Sequence, residues 1–164
     1  MNIISRLYSI GIPSSLNLAL PSFMIIALNS ILTTYDDSYV LILGVYYKLQ
    51  TFLYFIVSGL VQGIRPIISY NEGAKQYKRV NSTFYISLLI SVIVMIIGTI
   101  LFLTIPDKLI GLFTNNSQTI TNGAHALRII SFGFIVSSFS VVISGVFEGL
   151  GNGFPSLIIS LTRY

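Results

Sequence analysis

The sequence predicts an all-α, polytopic transmembrane helix bundle with four complete spans and the start of a fifth. Of its 164 residues, 54% are hydrophobic and only 9% are charged, and the mean hydropathy is +0.85. A soluble domain carries about 25% charged residues. With so few charges the chain could not cover a water-facing surface of its size, so lipid should cover the apolar remainder.

Long apolar runs define the spans. At 1.5 Å per residue, about 20 helical residues cross a hydrocarbon core about 30 Å thick, and four runs reach that length. The predicted spans are residues 12–33, 39–70, 80–105 and 124–150, followed by a truncated one at 154–164. The second is longer than a bilayer requires, so it should tilt, kink or project into the cytoplasm. We treat residues 1–164 as a single transmembrane domain.

The charges between the spans assign an orientation. The gap at residues 34–38 carries two aspartates and no cation, whereas the gap at 71–79 carries Lys75, Lys78 and Arg79. Cationic loops stay in the cytoplasm. The second gap is therefore predicted inside and the first outside.

The N-terminal segment agrees with this orientation, because alternation places Arg6 inside and the polar gap at residues 106–123 outside. Arg6 followed by an apolar run also resembles a secretory signal peptide. The run continues to Leu32, however, and residues 33–37 contain no cleavage pattern of small residues. A spanning helix is the favoured interpretation.

The second span carries one polar stripe, in which Tyr46, Gln50, Tyr54 and Ser58 recur every four residues. Residues at this spacing share one helix face. An amide facing lipid would lack hydrogen-bond partners, which costs several kcal/mol, so the stripe should face the protein interior. It could line a substrate cavity or form hydrogen bonds between helices; the sequence leaves both open.

Lys48 lies about ten residues, or roughly 15 Å, inside the predicted outer boundary. A charged group at the bilayer centre costs about 3 kcal/mol and suggests a function, so Lys48 is predicted, with Tyr46, Gln50 and Tyr54, to line a substrate cavity. Alternatively, the aliphatic stem lets the ammonium reach the interface. Glu148 belongs near the inner surface, so a carboxylate partner for Lys48 would come from outside this chain.

The first span contains Pro13 and Pro21 together with two polar residues, Asn17 and Asn29. Proline removes a backbone donor and favours a kink, which polar side chains or water can compensate. We therefore add Asn17 and Asn29 to the predicted substrate cavity. The span contains no carboxylate.

Small residues recur at four-residue spacing in two spans. Gly145 and Gly149 in the fourth span, like Gly59 and Gly63 in the second, form pairs that allow close helix approach. Packing is the favoured interpretation of both pairs.

The sequence favours neither an enzyme nor a nucleic-acid-binding protein. There is no cysteine, hence no disulfide, thiolate nucleophile or cysteine metal site, and the net charge of +4 is small and dispersed. Residues 149–153 lack the lysine of a P-loop. We predict no catalytic residue, metal site or cofactor.

Four segments in order resemble the multidrug and toxic compound extrusion (MATE) family. Residues 59–74 (GLVQGIRPIISYNEGA) resemble the family's helix end and cytoplasmic loop, although Glu72 stands where the family usually has Tyr. Residues 147–157 (FEGLGNGFPSL) resemble its later glycine-rich turn. Residues 11–15 and 45–50 complete the likeness, which covers essentially the whole chain.

This resemblance implies helices seven to ten, and the start of eleven, of a twelve-helix protein built from two six-helix bundles. It implies export of cationic and amphipathic drugs in exchange for H⁺ or Na⁺ by alternating access, in a bacterial inner membrane. The partners would be the lipid bilayer, the drugs, the coupling cation and an N-terminal six-helix bundle absent from this chain. Some family branches place coupling carboxylates in helices seven and ten. Here the first span has no carboxylate and the fourth has only Glu148, near its inner end, so the coupling residue is expected outside the chain.

Two alternatives stay open. A flippase of lipid-linked oligosaccharides or polysaccharides has a related architecture, and its cavity should carry more basic residues to neutralise pyrophosphate. A non-transporting membrane fragment could instead assemble with a full-length partner.

The predicted orientation can be tested with single cysteines in this cysteine-free chain. A membrane-impermeant thiol reagent applied to intact cells should label cysteine at Asp37, on the outside, and leave cysteine at Gln76 unlabelled until the membrane is permeabilised. Labelling at 76 but not at 37 would reverse the topology.

Overall fold

A computed structural model describes residues 3–163. Within that range the side chains of residues 3–6, 9 and 10 are not described, so the predicted position of Arg6 lies outside the described residues. The described chain forms helices and no strand, which confirms the predicted fold class. The elements are α1 (Ile3–Leu32), α2 (Asp37–Gly73), α3 (Tyr77–Thr104), α4 (Pro106–Gly111), α5 (Ser117–Gly149) and α6 (Gly153–Leu161).

Four of these helices are long and apolar enough to cross a membrane: α1 from Gly11 onward, α2, α3 and α5. By length and composition, these four helices are candidate membrane spans. Helix α2, at 37 residues, is about 55 Å long and therefore exceeds the hydrocarbon thickness.

The gap predicted at residues 106–123 is more ordered than its polarity suggests. It contains the short helix α4 and the first two turns of α5. Pro106 begins α4, and Ile110 buries its side chain completely. A six-residue helix is too short to show the periodicity from which the longer helices are predicted.

Side-chain caps fix two of the helix starts. Asp36 accepts a hydrogen bond from the backbone N–H of Ser38 at 2.7 Å, and Asn116 accepts from the N–H groups of Gln118 and Thr119. These bonds satisfy donors that a helix start leaves unpaired. The bond from the Ser38 backbone also lowers the pKa of Asp36 below its ordinary value.

Helices α2, α3 and α5 pack on one another and enclose the main hydrophobic core, with Val57, Met95, Phe134 and Val142 among its most buried residues. Helix α6 packs on α5. Helix α1 contacts α6 extensively and α2 only sparsely, so α1 stands apart from the three-helix core. The space between α1, α2 and α5 is therefore open for a cavity.

The glycine prediction is confirmed for the pair in α5, whereas the pair in α2 contacts no other described helix. A Cβ on Gly145 would lie 2.1 Å from Val61 Cγ1, and one on Gly149 would lie 3.2 Å from the carbonyl oxygen of Arg65. Gly59 and Gly63 have no described atom within 4 Å of an added Cβ. They lie two residues from Val61, and 200° of helix rotation puts them on the opposite face of α2.

Gly145→Ala should destabilise the protein by roughly 1–3 kcal/mol, because the new methyl group overlaps the stiff, β-branched Val61. Gly133→Ala is the matched control: it lies on the same helix with open space around it and should be neutral or slightly stabilising. Thermal unfolding in detergent measures both. Adding Val61→Ala to Gly145→Ala should recover part of the loss, and equal melting temperatures for the two single variants would contradict the packing interpretation.

Candidate functional site

A cavity of about 800 Å³, here called the main cavity, lies between α1, α2 and α5. Four of the six residues predicted for a substrate cavity line it: Tyr46, Lys48, Gln50 and Tyr54. Ser58, the last residue of the polar stripe, also lines it, as do Pro21 on α1 and Ser137 on α5. The four-residue periodicity of α2 thus places its polar side chains along one cavity wall.

The two asparagines predicted for the same cavity lie elsewhere. Asn17 lines a second, smaller cavity, and Asn29 lines neither. The carbonyl oxygen of Asn29 accepts hydrogen bonds from the backbone N–H and the hydroxyl of Thr33, which end α1. The structure therefore brings four predicted residues together and separates two.

Phe134 supports the aromatic wall of the main cavity. Its side chain is buried, and it stacks on Tyr46 with ring centroids 6.4 Å apart. Tyr54 and Phe102 approach the same ring edge-on, at 6.3 and 5.3 Å. Such aromatic pairs contribute about 0.5–1.5 kcal/mol beyond burial and hold both tyrosines in place. Phe134 is one apolar residue among many, so no sequence pattern predicts its role.

Lys48 is exposed on the wall of the main cavity, and its ammonium lies 5.5 Å from the ring centroid of Phe113, in the segment between α4 and α5. A cation over an aromatic ring at an exposed site gains about 0.5–1 kcal/mol. The contact orients the ammonium but does not balance its charge.

The second cavity, of about 330 Å³, is called the Glu148 cavity. Glu148 forms an ion pair with Arg65 on α2 at 2.5 Å, and its other carboxylate oxygen accepts hydrogen bonds from Asn17 on α1 at 3.1 Å and Ser156 on α6 at 2.9 Å. The Glu148 side chain is only 9% exposed. One carboxylate therefore connects four helices.

Buried serines extend this network between α5 and α6. The Ser144 hydroxyl lies 2.6 Å from that of Ser156 and 3.1 Å from that of Ser160. The exposed Ser69 on α2 also donates a hydrogen bond, to the backbone carbonyl oxygen of Gly149 at the end of α5. The sequence indicates part of this hydrogen-bond network. Ser144 and Glu148 are four residues apart, as are Ser156 and Ser160, so each pair shares a helix face.

The two cavities adjoin, since Ser58 and Arg163 line both. Their described walls present aromatic, hydroxyl, amide and cationic groups, and one carboxylate that is already paired. Such walls bind an amphipathic molecule through apolar contact, with a few polar groups to orient it.

The chain is similar in sequence to proteins of one known family. The family model described as MatE matches residues 13–164. The multidrug export protein MepA of Staphylococcus aureus (strain NCTC 8325 / PS 47) is 24% identical over 160 residues, covering 98% of this chain and 35% of that protein. The protein of the same name from Staphylococcus saprophyticus is 23% identical over 161 residues, covering 98% and 36%. The chain thus spans about a third of the length of these relatives.

Proposed function

Because the chain belongs to the MatE family, whose members are transporters and not enzymes, we propose that it forms part of a multidrug efflux transporter. It would export amphipathic compounds by alternating access, in which two bundles rock around a site near the membrane midplane. The relatives are named multidrug export proteins, and this chain corresponds to about a third of their length. A six-helix N-terminal bundle would supply the facing wall of the cavity.

The main cavity is the structural observation that supports this proposal most directly. Its volume of about 800 Å³ falls within the roughly 300–1,000 Å³ of sites for drug-sized ligands. Tyr46, Gln50 and Tyr54 combine apolar area with hydrogen-bonding groups on one wall. This combination suits compounds of varied shape.

Exchange against H⁺ or Na⁺ is part of the proposal, with the coupling site outside this chain. Glu148 is the one carboxylate in the described part that lines either cavity. Its oxygens are already engaged by Arg65, Asn17 and Ser156. A carboxylate so fully paired is poorly placed to exchange a cation with water. The setting would be the bacterial plasma membrane, because the relatives are bacterial.

One observation favours the flippase alternative. Arg163 lines the main cavity together with Lys48, so this wall is more basic than Lys48 alone makes it. Phosphate recognition uses such cations.

Gln50→Ala in the complete gene product should change which compounds are exported, because the amide orients substrates on the cavity wall. The measurement is the efflux rate of a panel of amphipathic dyes in a pump-deficient bacterial host, alongside membrane abundance. Gln118→Ala, an identical substitution at an exposed site outside both cavities, should leave rates and abundance unchanged.

An unchanged dye profile combined with lower abundance of Gln50→Ala would assign Gln50 to packing between helices. Absence of dye efflux by the unmodified gene product would contradict the transporter proposal and favour a non-transporting membrane protein.

A further inference from the structure

The turn between α2 and α3, here called the basic turn (residues 72–79), carries an excess of positive charge. Lys75, Lys78 and Arg79 are exposed, and none of them forms an ion pair with a described residue. Glu72 is the one carboxylate in this segment, so three cations stand against one anion. A backbone hydrogen bond from Lys75 to the carbonyl oxygen of Glu72, at 2.9 Å, closes the turn. The basic turn therefore presents its charge to whatever surrounds this end of the bundle.

Helix α3 places the basic turn at the level of the lipid headgroups. Its 28 residues span about 42 Å, which matches the roughly 40–45 Å thickness of a bilayer with its headgroup regions. The first turn of α3, with Lys78 and Arg79, therefore lies in one headgroup layer. Tyr77 is exposed beside them, and such aromatic side chains are typical of a membrane interface.

The exposed face of α3 changes its chemistry along the helix in the order of a phospholipid. Residues three or four positions apart share one helix face, and those that follow from the basic turn are all exposed: Lys78, Ser82, Tyr85, Leu89, Ile93, Ile96 and Ile100. A cation comes first, then a hydroxyl and a phenol, then aliphatic side chains. A phospholipid presents its phosphate, its glycerol esters and its acyl chains in the same order from the membrane surface inward. The opposite face of α3, with Met95 and Phe102, packs in the core.

We propose that the basic turn and the exposed face of α3 bind an anionic phospholipid, with its phosphate at Lys78 and Arg79 and an acyl chain along Tyr85 and Leu89. Ammonium and guanidinium groups bind phosphate through charge-assisted hydrogen bonds, and cations close to a membrane surface favour anionic lipids. A zwitterionic lipid carries its own cation next to the phosphate, so it should bind less tightly. The proposal concerns the lipid and does not depend on transport by the protein.

The test measures which lipid lies next to α3. Tyr85→Trp in the purified complete gene product places an indole on the exposed face, at a position that is 66% exposed. The protein is reconstituted in two bilayers of equal parts phosphatidylglycerol and phosphatidylcholine, in which only one of the two lipids carries bromine, a quencher of indole fluorescence. Emission of the unmodified protein is subtracted. Brominated phosphatidylglycerol should quench more strongly, with association about tenfold tighter than that of phosphatidylcholine.

Charge-removing variants assign this preference to the basic turn. In the Tyr85→Trp background, Lys78→Gln and Arg79→Gln should each reduce the preference for phosphatidylglycerol about fivefold, as expected for loss of one cation near a membrane surface. Lys78→Arg should preserve the preference, since the charge remains. Lys108→Gln, at an exposed position on α4 beyond the other end of α3, should change nothing.

A second probe position separates a local site from a general effect of charge. Ile100→Trp lies on the same face of α3 near its other end, where the native side chain is 55% exposed, and its quenching should be unaffected by Lys78→Gln. Equal association of the two lipids at Tyr85→Trp, or the same preference in Lys78→Gln and Lys108→Gln, would overturn the proposal. An absence of quenching by both lipids would also overturn it, because protein would then cover this face. None of these results bears on the efflux test of Gln50.

Discussion

The arrangement of this bundle depends on the buried charge of Glu148. A carboxylate removed from water must be paired and hydrogen-bonded, or it destabilises the fold by several kcal/mol. Arg65 supplies the opposite charge from α2, and Asn17 and Ser156 supply hydrogen bonds from α1 and α6. Helices α1 and α2, which contact each other only sparsely, are thereby joined at one end through the same carboxylate.

The sparse contact between α1 and α2 also explains why a large cavity exists beside a well-packed core. Between α2 and α5, Gly145 and Gly149 let the backbones approach until Val61 and Arg65 touch them. Helix α1 is joined to α5 by the hydrogen bond from Asn17 to Glu148, and from Pro21 onward α1 borders the main cavity. Helices α2 and α5 therefore pack closely, while α1 is held by a hydrogen bond at one end. The main cavity lies between them, and Tyr46 and Lys48 line it.

The sequence predicts the helices and one cavity wall, but not the contacts between distant segments. Apolar runs and charged gaps give the spans because membrane insertion depends on local composition. Helical spacing groups Tyr46, Gln50 and Tyr54. The bond from Asn17 to Glu148 joins residues 131 positions apart, and no local pattern encodes that pairing. The contrast between Gly145 and Gly59 shows the same limit, since equal spacing gives close packing only on the face that meets a neighbour.

The most direct test of the central role of Glu148 is a double-mutant cycle with Arg65→Met and Glu148→Gln, measuring the free energy of unfolding. We predict a coupling of about 1–3 kcal/mol, below the value for a fully buried pair because Arg65 is 41% exposed. The same cycle on the exposed pair Arg128–Asp107, 3.5 Å apart, should give a coupling near zero. Additive effects at Arg65 and Glu148, within about 0.5 kcal/mol, would contradict the account.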